Sequence, residues 1–110
     1  MLLTELMSSE CKNNKLWVDD ERNPPDDTFD VARTYKDAIK RLATHHYDEI
    51  YLDHDLGDFE DGIERTGYDV LMWIVQQKMD GWKAPEKYVL LTANPVGRKR
   101  MQGVIDQYLS

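Results

Sequence analysis

The chain has 110 residues, a formal charge of −7 and one cysteine, which gives room for one domain with its own core and excludes a disulfide framework or a thiolate zinc site. The acidic balance argues against a broad nucleic-acid surface, since such surfaces neutralise phosphates with a basic face. No apolar run approaches the roughly 20 residues that span a bilayer, and the start lacks the pattern of a signal peptide, so the cytoplasm is the expected compartment.

Residues 1–14 read as a polar leader, frayed or forming a short helix over Leu2 to Met7, and residues 15–110 as the domain. Leu16 to Asp19 is a continuous apolar run ending in acid, the pattern of a strand buried on both faces in a parallel sheet. The paired prolines Pro24-Pro25 make residues 20–27 a loop. Phe29 to Arg33 alternates like an edge strand. Thr34, with Asp37 three residues on, caps a helix whose apolar stripe is Ala38, Ile39, Leu42 and Ala43.

Glu49 to Asp53 is the next strand, followed by a polar, glycine-punctuated loop from Gly57 to Arg65, long enough for a lid or specificity loop. Thr66-Gly67-Tyr68-Asp69 repeats the capping pattern and opens a helix to about Met79, with Val70, Leu71, Ile74 and Val75 inward. Lys87 to Leu91 is the last strand. Asn94-Pro95 then starts a closing helix that buries Met101, Val104, Ile105 and Tyr108.

Strands alternating with helices indicate an open parallel α/β sheet, whose sites lie beyond the carboxyl ends of its strands where the strand order reverses. For four strands in the order 2-1-3-4 that point falls between the first and third, the two that end in Asp19-Asp20-Glu21 and Asp53-His54-Asp55. Carboxylates crowded together repel unless a cation neutralises them, which points to a hard, oxygen-loving ion such as Mg²⁺ or Mn²⁺ held by Asp19, Asp20 and Asp53. The plainer reading is that acidic residues cap strand ends and begin turns; two clusters at one switch point favour the metal.

Three stretches, Leu16 to Glu21, Tyr51 to Gly57 and Val89 to Ala93, resemble the signatures of the response-regulator receiver domain. The resemblance implies a receiver-like, flavodoxin-like fold with about three helices. It also implies Asp19 and Asp20 as metal ligands, Asp53 as the residue matching the phosphoaspartate, and Thr92 as a phosphate-contacting hydroxyl. Two departures are expected: the loop 20–27 replaces the first receiver helix, and there is no fifth strand to bring the receiver's lysine.

A fuller resemblance is to a divergent receiver-like family of bacteria and phages that processes cyclic phosphates. It rests on Val18-Asp19-Asp20-Glu21-Arg22, Ala32-Arg33-Thr34, Leu52 to Gly57, Thr66 to Leu71 and Ala93 to Arg98. It implies a Mg²⁺-dependent phosphoesterase acting on the cyclic phosphate of a nucleotide or an RNA end. The alternative is a non-catalytic phosphoacceptor or protein-docking module switched through Asp53. A third reading takes Asp53-x-Asp55 as the aspartate pair of a phosphatase or topoisomerase-primase-like fold, whose further motifs cannot be placed.

Asp53 then has two candidate jobs, nucleophile or metal ligand. His54 could protonate the alkoxide leaving a cyclic phosphate, although strand alternation turns it away from Asp53 and a packed histidine is the rival. Without a receiver lysine, Arg98 is the first choice to meet phosphate oxygens, aided by Thr92, Asn94 and the N-terminus of the closing helix; the rival is a solvated basic face. Arg33 and Arg22 either clamp a phosphate or neutralise Asp19 and Asp20. Asp55 joins the site or merely turns the chain. His45 and His46 receive no chemistry.

Overall fold

The computed structural model describes residues 13–109. Most of the leader, with the expected Leu2 to Met7 helix and Cys11, lies outside the described residues. Asn13 and Asn14 are tied to the domain: Asn13 Nδ2 donates to Asp30 Oδ1 at 3.2 Å, and the Asn14 carbonyl accepts from Asp48 N at 2.8 Å.

The elements run β1 (Lys15–Val18), β2 (Phe29–Ala32), α1 (Tyr35–Thr44), β3 (Glu49–Leu52), β4 (Asp58–Glu60), β5 (Ile63–Arg65), α2 (Gly67–Met79), β6 (Lys87–Leu90) and α3 (Pro95–Val104). A π-helical turn, Ile105–Leu109, closes the described chain. Four strands form a parallel sheet in the order β2-β1-β3-β6, the expected 2-1-3-4 with β6 as its fourth strand. This is the α/β receiver-like architecture, with three α-helices among the described residues.

The pleat sorts side chains into two faces. Leu16, Val18, Ala32, Ile50, Leu52 and Leu90 share one core with Ala38 and Leu42 of α1, Val70, Leu71 and Ile74 of α2, and Met101 of α3. The other face carries the paired row Val31, Trp17, Tyr51 and Val89. There Trp17 stacks on Tyr51 (centroids 6.0 Å) and meets Phe29 edge-on at 5.5 Å. The loop between β1 and β2 stands where a receiver has its first helix.

Both capping predictions hold locally. Thr34 Oγ1 accepts from Asp37 N at 3.1 Å, and the Asp69 carboxylate accepts from Thr66 N at 2.8 Å. Ala38 and Leu42 are buried as expected, whereas Ala43 faces solvent as α1 ends.

Two expectations are corrected. The segment Gly57 to Arg65, expected as a loop, contains the antiparallel hairpin β4-β5, turned through Asp61 and Gly62 at φ 52° and 79°. Positive φ at both central positions is the type I′ geometry that Asp-Gly favours. Tyr108, expected inside, is 44% exposed, and Leu109 is buried instead. The π-helical turn inserts extra backbone, so the inward position falls one residue later. No helix among the described residues is long and apolar enough to cross a membrane.

Candidate metal and phosphate site

The four parallel strands end level, Val18 beside Ala32 and Leu52, and Leu52 beside Leu90. One more rung is added beyond each pairing: Asp19 N donates to Ala32 O, Asp53 N to Val18 O and Leu91 N to Leu52 O. Asp19, Arg33, Asp53 and Leu91 therefore stand in one row along the carboxyl edge of the sheet. Asp19, Asp20 and Asp53 each place a carboxylate oxygen within 4.8 Å of the others. An all-oxygen set of three carboxylates at one edge suits a hard cation that keeps several waters, so the donor chemistry fits Mg²⁺ or Mn²⁺.

Asp19 is 1% exposed. Its Oδ1 accepts from the backbone N–H groups of Glu21 and Arg22, both at 3.0 Å, and its Oδ2 from Arg22 Nε at 2.8 Å. Burial alone would raise its pKa, but the two backbone donors and the guanidinium together outweigh burial and leave it below the ordinary carboxylate value. Asp53 Oδ1 accepts from His54 N at 2.8 Å, and Asp53 Oδ2 lies 3.3 Å from Arg22 Nη2. Asp20 lies beside Gly57, whose left-handed turn (φ 58°) brings the chain over it; a Cβ there would stand 3.2 Å from Asp20 Oδ2.

Two further glycines allow close approach. A Cβ on Gly67 would lie 1.9 Å from the Asp53 carbonyl oxygen, so only glycine lets the start of α2 seat against that strand end. Gly67 N then donates to His54 O at 2.8 Å. A Cβ on Gly97 of α3 would meet the His54 ring at 2.6 Å. His54 is thus packed closely against α3, with Nδ1 2.8 Å from Asp55 Oδ1.

The remaining predicted residues reach the same edge with their polar atoms already engaged. Thr92 is buried, and its Oγ1 accepts from Asn94 N at 3.0 Å, which leaves the hydroxyl proton to donate elsewhere. Asn94 Oδ1 caps α3 by accepting from Val96 N and Gly97 N, both at 3.1 Å. Arg98 Nη1 donates to the carbonyls of Leu90 and Thr92, each at 3.2 Å. Arg33 donates to the carbonyls of Asp19 and Arg22 and to Asn23 Oδ1, holding the β1-β2 loop. His45 and His46 follow α1; His46 Nε2 meets Asp48 Oδ1 at 3.1 Å.

The cation that bridges two of the carboxylates is Arg22, expected either to clamp a phosphate or to neutralise Asp19 and Asp20. Its signal lay three positions after Asp19: the turn that bonds Asp19 Oδ1 to two successive backbone N–H groups folds side chain 22 back onto Oδ2. Gly67 and Gly97 lie inside the Thr66 to Leu71 and Ala93 to Arg98 stretches, where close packing against Asp53 and His54 gives each a role.

The profile of the family described as "Cyclic-phosphate processing Receiver domain" matches residues 14–107. No curated protein matches the chain. Among solved structures, a fusion bearing a trimeric coiled-coil segment of yeast Spc42 superposes with a TM-score of 0.57 at 20% identity. The match covers 84% of this chain and 61% of that one, and it supports the fold alone.

Proposed function

This chain belongs to the cyclic-phosphate processing receiver domain family, and on that premise we propose that it is a divalent-metal-dependent phosphoesterase that opens a cyclic phosphate on a nucleotide or RNA end. The observation that carries this reading is the convergence of Asp19, Asp20 and Asp53 beyond two adjacent central strands. In the proposed reaction water attacks phosphorus, forming a P–O bond as one ring P–O bond breaks; of the two water protons, one ends on the departing alkoxide and the other stays with the monoester phosphate.

Asp19, Asp20 and Asp53 would hold the ion, which when bound supplies positive charge to the phosphoryl oxygens as the transition state forms. Asp53, with Oδ1 fixed by its neighbour's N–H, orients rather than attacks. The Thr92 hydroxyl donates its free proton to a phosphoryl oxygen. Arg98 and the start of α3 would face the same anion once Arg98 turns from the carbonyls it now caps. His54, kept in place by Asp55 and Gly97, is the group offered to the leaving oxygen.

Incubation with a 2′,3′-cyclic mononucleotide and Mg²⁺, followed by ³¹P NMR, tests this. The expected result is conversion of the cyclic diester to a monoester, lost on chelation and reduced on the order of a hundredfold or more in Asp53→Asn. Turnover indifferent to Asp53→Asn would overturn the assigned role. Absence of turnover combined with labelling of Asp53 by acetyl phosphate would move the site to the non-catalytic phosphoacceptor reading.

A further inference from the structure

We propose that Arg22 is an exchangeable internal cation: it neutralises Asp19 and Asp53 in the metal-free protein, yields them to the divalent ion, and then turns its guanidinium to the phosphate of the substrate. The proposal rests on the metal-dependent phosphoesterase reading and adds a phosphate-binding residue to it.

The argument begins with which oxygens are free. Asp19 Oδ1 is committed to the N–H groups of Glu21 and Arg22, and Asp53 Oδ1 accepts from the N–H of His54. Two N–H groups fill the acceptor sites of Asp19 Oδ1 and leave its Oδ2 for a cation, whereas Asp53 keeps one site on Oδ1 beside its Oδ2; the two Oδ2 atoms face Arg22 Nε at 2.8 Å and Nη2 at 3.3 Å. An ion held by Asp19 would need the Oδ2 that Arg22 Nε now occupies and would bring a second positive charge beside the guanidinium, so arginine and metal would compete for the site.

The exchange is mechanically cheap because Arg22 is fixed at its backbone and loose at its tip. Its N–H donates to Asp19, and its carbonyl accepts from Trp17 Nε1 at 3.0 Å and Arg33 Nη1 at 2.6 Å. The side chain, by contrast, is 53% exposed. Only the arginine side of the pair is open to water, while Asp19 and Asp53 are 1% and 13% exposed, so the guanidinium can leave into solvent without opening the fold, provided another cation takes over the buried carboxylates. The released guanidinium keeps its full charge and its planar fork, the geometry that suits phosphate oxygens.

It also starts in the right place. Arg22 Nη2 already donates to the Leu91 carbonyl at 3.2 Å, one residue before Thr92. A short swing therefore moves it between the acidic oxygens and the region where Thr92 and α3 would hold an anion.

The test follows the Arg22 Nε–H resonance of the full-length ¹⁵N-labelled protein, alongside calorimetric Mg²⁺ titrations of wild type and Arg22→Gln. Expected is a hydrogen-bonded, solvent-protected Nε–H in chelator, its release on saturation with Mg²⁺, and renewed protection when inorganic phosphate is added. Arg22→Gln should bind Mg²⁺ about tenfold more tightly and lose the phosphate response. An Nε–H that stays protected at saturating Mg²⁺, or equal Mg²⁺ affinities, would overturn the proposal alone. Failure of both proteins to bind Mg²⁺ would overturn the metal reading and the proposal with it. The wild-type spectra decide the matter even if Arg22→Gln does not fold.

Discussion

On the β1–β3 side of the carboxyl edge, charged groups are bonded across the chain: Arg22 links Asp19, Asp53 and the Leu91 carbonyl, and Arg33 ties β2 to the loop after β1. On the β6–α3 side, Thr92, Asn94 and Arg98 bond to groups within eight residues of themselves. Arg33 and the backbone of Arg22 make the acidic side part of the fold, so its geometry and its stability rise and fall together, and only the exposed tip of Arg22 can move independently. Local bonds let the other side rearrange around an anion while the sheet stays intact. Substitutions on the first side should therefore appear in unfolding measurements, and those that reach only the second side in turnover.

The sharpest way to break this contrast is Gly67→Ala. The added Cβ meets the Asp53 carbonyl oxygen at 1.9 Å, its carbon at 2.9 Å and Met101 Cε at 3.0 Å. Backbone cannot step aside as a side chain can, so the loss should reach about 3 kcal/mol, the upper end for overpacking. Urea unfolding read by tryptophan fluorescence measures it. A loss below about 1 kcal/mol would mean that α2 is loosely seated and the acidic side is not the stiff one.

Asp19→Asn comes next. The carboxylate accepts three hydrogen bonds and faces a half-exposed guanidinium, so about 1–2 kcal/mol should be lost at pH 7 without metal. The folded-state pKa of Asp19 is lowered, which fixes the sign. Its contribution is fully present above the unfolded carboxylate value of about 3.9 and disappears as the pH falls through the lower folded value. Stability curves of wild type and variant, measured in chelator, should converge only in that acid range. Convergence already at pH 6 would show that the Asp19 charge does not hold this side together.

The sheet order and the placing of Asp19 and Asp53 were legible because strands buried on both faces show as unbroken apolar runs, and the residues ending them fall at one edge. The hairpin was not. Its arms, Asp58–Glu60 and Ile63–Arg65, are too short to display alternation, and only Asp61-Gly62 marked the turn. Tyr108 pointed the wrong way because a π-helical turn breaks the 3.6-residue count from which its burial was inferred. The hydrogen bonds of Arg22 to the Leu91 carbonyl and of Arg98 to those of Leu90 and Thr92 were hidden for another reason. They depend on where the carbonyls of Leu90, Leu91 and Thr92 aim after the last strand, which side-chain identity does not encode.

Gly97→Ala has the smallest expected effect on stability, and it probes the seam between the two sides. Its Cβ would meet His54 at Cγ (2.6 Å) and Cδ2 (2.7 Å), atoms of a side chain that can tilt about its own torsions. Replacing glycine in the first turn of a helix also returns up to about 1 kcal/mol of propensity, so the net change in unfolding free energy should stay within about 1 kcal/mol. The ring cannot tilt without loosening its 2.8 Å contact to Asp55 and leaving its seat on α3. If His54 serves the leaving oxygen, turnover of a cyclic mononucleotide should fall on the order of tenfold with little change in stability. Unchanged turnover beside a displaced His54 ring signal in NMR would make that histidine a packing residue, and the chemistry would then rest on the acidic side alone.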